Sequence, residues 1–116
     1  MQRYLFLLLM TISVSISAAD TTVVYDTKSV AYGTPVSFVA SYNGYGGGDV
    51  IFGVVNSIPE CAGYWITKDD PGFKANLSML LSAYLTKVPV EVYASPDQLW
   101  SGSTAPHCKV YSFRML

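Results

Sequence analysis

The chain has 116 residues and a formal charge of −1, with 13% charged and 14% aromatic residues. So little basic charge excludes a nucleic-acid partner, whose binding is dominated by phosphate neutralisation, and so many aromatic and apolar residues exclude a disordered chain. The length allows one domain with a single modest core.

Met1-Gln2-Arg3, the apolar run Tyr4 to Met10 and the small residues Ser17-Ala18-Ala19 read as a signal peptide over residues 1–19, cleaved before Asp20. The apolar run is too short for a spanning helix, so no membrane insertion is expected after cleavage; an uncleaved anchor is the rival reading. The remaining 97 residues, 20–116, form the single predicted domain, with six basic against eight acidic residues. The expected compartment is periplasmic or extracellular in a bacterium.

Thr22 to Tyr25 and Lys28 to Tyr32 are two short β-leaning runs, and Gly33-Thr34-Pro35 punctuates after them. From Val36 the chain alternates, which predicts Val36, Phe38, Ala40 and Tyr42 on one face and Ser37, Val39 and Ser41 on the other. The segment Tyr42 to Asp49, YNGYGGGD, follows. It joins two strand-like runs and lacks both the Lys-Ser/Thr of a phosphate loop and a following helix. Its glycines suit a hairpin tip, and they would also let a ligand approach the backbone beside Tyr42 and Tyr45.

Val50 to Val55 reads as a strand buried on both faces, with Gly53 at a bulge or bend. Asn56 to Glu60 is a loop, and Cys61 to Thr67 is extended again. Asp70-Pro71 predicts a helix start, with Asp70 as cap. Leu77, Leu80, Leu81, Tyr84 and Leu85 form its apolar stripe, and Lys87 suits its C-terminal end. Pro89 opens a strand in which Val90 and Val92 alternate with Glu91 and Tyr93. Ser95 to His107 is a polar connection carrying Trp100. A last strand, Lys109 to Met115, places Tyr111 and Phe113 on one face and Val110 and Ser112 on the other. This order predicts a mainly β fold with one helix, a small antiparallel barrel like the oligonucleotide/oligosaccharide-binding (OB) fold.

Two cysteines in an exported chain predict one disulfide, Cys61–Cys108. A metal pair is the poorer reading, because no His or carboxylate stands at ligand spacing. Closing a loop of roughly 48 residues would stabilise the fold by about 4 kcal/mol.

Catalytic chemistry is sparse, so the chain is expected to be neither an enzyme nor a cofactor protein. His107 and Cys108 could form a nucleophilic dyad, yet neighbours on a strand point to opposite faces. Asp69-Asp70 could serve acid–base work or a hard cation, but helix capping accounts for one of them. Ser101-Gly102-Ser103 has no base to activate it. The aromatics remain. Most are expected in the core or against the disulfide, and Tyr42, Tyr45, Trp65 and Trp100 are the candidates for stacking on a sugar ring.

The stretch CAGYWITKDDPGFKANLSMLLSAYLTKVPVEVY, followed by WSGSTAPHCKVYSFRM, resembles small exported bacterial proteins similar to the B subunit of subtilase cytotoxin, relatives of the pertussis-like binding subunits. The resemblance covers Cys61 to Met115. It implies an OB-type barrel, glycan binding (often of sialylated glycans) and assembly as a homo-oligomeric ring. The chain departs from those toxins in having one cysteine pair, a shorter region after the helix and an N-terminal half that does not align, so no sugar-binding residue is carried over. Two functions stay open: a carbohydrate-binding module, and a periplasmic or surface protein-interaction domain without a small ligand.

Overall fold

The structure, a computed structural model, describes residues 26–116. The signal-peptide reading of residues 1–19 and the run Thr22 to Tyr25 lie outside the described residues. The elements in chain order are β1 (Lys28–Tyr42), β2 (Asp49–Val54), β3 (Gly63–Ile66), α1 (Phe73–Thr86), β4 (Pro89–Leu99) and β5 (His107–Met115). The fold is mainly β with one helix, and the five strands form a sheet that closes into a ring in the order β1-β2-β3-β5-β4. The expectation of an antiparallel sheet needs one correction: β3 and β5 pair in parallel, with Trp65 opposite Lys109.

β1 is a single strand of 15 residues where two runs were expected. Gly33 adopts φ 70°, and the pairing with β4 shifts register between Tyr32 and Thr34. The resulting bulge bends the strand instead of ending it, so its first half pairs with β4 and its second half with β2. A further bulge between Val36 and Phe38 reverses the phase of the strand. Val36 and Val39 therefore contribute to the core, whereas Phe38 is exposed, which corrects the alternation read from the sequence. The Phe38 ring lies over Gly53 in the space that a Cβ would need. The irregularity expected in β2 thus sits on the strand opposite, and β2 itself is buried along its whole length.

The last strands carry similar corrections. β4 continues to Leu99, so the connection to β5 is only residues 100–106. Tyr93 pairs with Ser112 but Ala94 pairs with Val110, leaving Tyr111 as the extra residue of a bulge. Val110 and Phe113 are consequently both buried, and Tyr111 is 73% exposed.

The helix begins three residues later than Asp70. Gly72 is its N-cap and no side chain caps it. The Asp70 carboxylate instead accepts the Thr67 N–H at 2.9 Å and pairs with Lys109. Leu80 and Ala83 are the buried residues of α1, with Phe73, Leu77 and Met79 packed against the same core. Leu81, Tyr84 and Leu85 are exposed, so the stripe read from the leucines has the wrong phase. Lys87 ends the helix in the left-handed region at φ 58°.

Inside the ring, Phe52 packs against Tyr64 at 5.1 Å and against Phe113 at 5.6 Å between centroids. Tyr64 is fully buried and its hydroxyl donates to the Val30 carbonyl at 3.3 Å. Burial pushes this phenol up to about 12. Cys61 and Cys108 form the expected disulfide, with Cα atoms 5.5 Å apart. No helix among the described residues is long and apolar enough to cross a membrane.

Candidate aromatic site at the meeting of two loops

The turn after β1 requires glycine. Gly46, Gly47 and Gly48 have φ values of 56°, 78° and 110°, all in territory that side chains rarely enter. The N–H groups of Gly48 and Asp49 both donate to the Tyr45 carbonyl, at 3.0 and 3.1 Å. This tight reversal holds Tyr45 over the start of β2 and lays Gly46 directly on the Asp49 carboxylate, where a Cβ would collide.

The second loop, residues 100–106, meets the first through Trp100. Its indole Nε1 donates to Asp49 Oδ2 at 2.8 Å. Its ring lies 5.2 Å from that of Tyr42 and 5.4 Å from that of Tyr45, in tilted and edge-on arrangements favoured by aromatic quadrupoles. Gly102 admits this packing, since a Cβ there would fall within the Trp100 ring. His107 stands edge-on to Trp100 at 5.6 Å, and its Nδ1 is 2.9 Å from the Ala105 carbonyl.

A hollow of about 380 Å³ opens beside this cluster. Tyr45, Trp65, Trp100, Asp49 and Asp69 are among the residues that line it. All four sequence candidates therefore gather in one neighbourhood, but with different roles. Tyr42 and Tyr45 are partly exposed, at 44% and 42%. Trp100 is only 6% exposed; it supports the two tyrosines and offers no open face. Trp65 donates to the Gln98 carbonyl at 3.2 Å, and the Lys109 ammonium covers one face of its ring at 4.1 Å. Tyr93 and Tyr111 lie elsewhere on the sheet and do not line the hollow.

Asp49 is the residue of this candidate site that sequence reasoning passed over. It is 3% exposed, and its Oδ1 is buried with no hydrogen-bond partner. The available signal was a carboxylate at the head of the otherwise apolar run Val50 to Val55. The His107–Cys108 dyad is removed by the disulfide, which occupies both thiols. Among the described residues no group of three or more His, Cys, Asp and Glu side chains is placed to hold a metal ion. No protein-family model matches the chain, and neither does any curated protein or solved structure.

Proposed function

We propose that the chain is an exported, non-enzymatic binding protein of OB type that takes a glycan at the aromatic hollow. The observation that carries this reading is the convergence of the loops 43–48 and 100–106 on Tyr42, Tyr45 and Trp100. In an OB barrel, the β1–β2 and β4–β5 loops and the face of strands 2 and 3 form the ligand surface. The ring order, the helix between β3 and β4 and the position of the hollow all suit that architecture. A tyrosine ring held at a loop tip gives a sugar an apolar face with a polar rim. The resemblance of the second half to toxin B subunits points the same way.

The test is a glycan array probed with purified protein, followed by titration of wild type and Tyr45→Ala. Losing one stacking ring weakens affinity several-fold, at about 1 kcal/mol, with little change in melting temperature. Absence of glycan binding, or unfolding of Tyr45→Ala, overturns the reading.

A second reading, a protein-interaction domain or homo-oligomer, is favoured by one observation. Leu85 and Val55 are 77% and 60% exposed, and both line one hollow with Tyr84, Pro35 and Val36. Leu85→Asp would shift the oligomeric state measured by sedimentation if this surface joins copies of the chain, and leave a monomer unchanged if it does not.

A further inference from the structure

The charge of the aromatic hollow narrows what it can hold. Asp49 Oδ2 accepts the Trp100 N–H, but Oδ1 has no donor, and no Lys, Arg or His forms an ion pair with this carboxylate among the described residues. A charge buried in that way is weakly screened, so its potential reaches into the hollow that it lines. Asp69 adds a second carboxylate to the lining; it is exposed and unpaired among the described residues. No basic side chain lines this hollow. Of the two nearby ammonium groups, Lys109 pairs with Asp70 and covers Trp65, and Lys68 lies over Gly47, outside the lining of the hollow. Tyr45 and Trp65 supply aromatic surface beside the carboxylates. Carboxylates joined to aromatic rings form an environment for ammonium groups, which are attracted both by charge and by the ring faces.

We propose that the hollow selects an amine-bearing saccharide, such as an oligomer of glucosamine, and rejects acidic sugars. This rests on the glycan-binding reading and specifies its ligand. The protonated amine sits between Asp69 and the ring of Tyr45 and compensates the buried Asp49 charge, while a sialylated or uronic ligand meets two carboxylates with no cation among the lining residues.

The test is calorimetric titration of the full protein with three probes: glucosamine oligomers, their N-acetylated counterparts and a sialylated trisaccharide. Glucosamine oligomers should bind best, roughly two- to thirtyfold tighter than the N-acetylated form, with an affinity that falls as salt is added. Asp69→Asn, an exposed change, should erase most of that preference, read as the ratio of the two affinities, with an unchanged melting temperature showing that the fold is kept. Equal affinity for the amine and acetamide forms overturns the amine proposal but leaves glycan binding standing, as does preference for the sialylated probe. Binding of none of the three, together with an empty glycan array, overturns both.

Discussion

Trp100 and Asp49 stand 51 residues apart in sequence and share one buried hydrogen bond, Nε1–H to Oδ2 at 2.8 Å. That bond ties the tip of the first hairpin to the β4–β5 connection. Trp100→Phe keeps one aromatic ring but removes the indole donor with its five-membered ring, leaving both carboxylate oxygens of Asp49 unpaired. The expected loss of stability is about 1–3 kcal/mol, read by urea denaturation. In an Asp49→Ala background the same change should cost clearly less, because the two residues act as a unit. Equal costs in both backgrounds would show that the bond contributes nothing.

The phase of α1 gives a sharp comparison. Leu80→Ala should destabilise by about 2–5 kcal/mol through lost burial and a cavity, since Leu80 is 1% exposed. Leu81→Ala, one position on and 42% exposed, should cost on the order of 0.5 kcal/mol. Chemical denaturation of the two variants decides between this phase and the one drawn from leucine spacing.

That contrast shows what the sequence made legible. The helix itself was readable from its apolar repeat. Its phase was not, because Leu77 and Leu80 belong equally to the stripe with Leu81 and Tyr84 and to the stripe with Phe73 and Ala83. When apolar residues occupy much of the circumference, spacing alone does not choose a face. The strands failed in another way. Strict alternation assumes an unbroken pleat, and the bulges at Ser37 and Tyr111 each turn the chain over by one residue. The disulfide was legible from the cysteine count together with the expected export. For the site, the Gly-rich turn and the aromatic residue types were visible as such. Their convergence was not, since it depends on ring closure bringing residues 42–49 next to Trp100.

The disulfide should leave no free thiol in unreduced, denatured protein, with Cys61 and Cys108 both bonded. Replacing both by Ser should lower stability by about 2–5 kcal/mol, measured against wild type in the same denaturant. Two thiols labelled per chain would contradict the pairing.

Tyr64 predicts an alkaline limit. Its phenol titrates near 10 in the unfolded chain and near 12 in the fold. The folded state therefore holds a proton that the unfolded state releases, so the contribution is complete below pH 10 and is lost as pH rises from about 10 to 12. Stability curves of wild type and Tyr64→Phe should run in parallel up to that window and diverge within it, with wild type falling more steeply. Phenolate absorbance, compared between wild type and Tyr64→Phe, should show Tyr64 ionising near 12 in the folded protein.

The parallel pairing of β3 with β5 spans only three residue pairs, Gly63 to Trp65, and the disulfide joins Cys61, two residues before β3, to Cys108 within that seam. β5 also completes β4, so nothing upstream of His107 can close the sheet alone. During synthesis Cys61 must wait as a thiol while the next 47 residues are made, and β3 meanwhile presents an open edge to any neighbour. The arrival of one late strand and the oxidation of one bond therefore coincide, and an oxidant acting earlier finds Cys61 with no partner within its own chain.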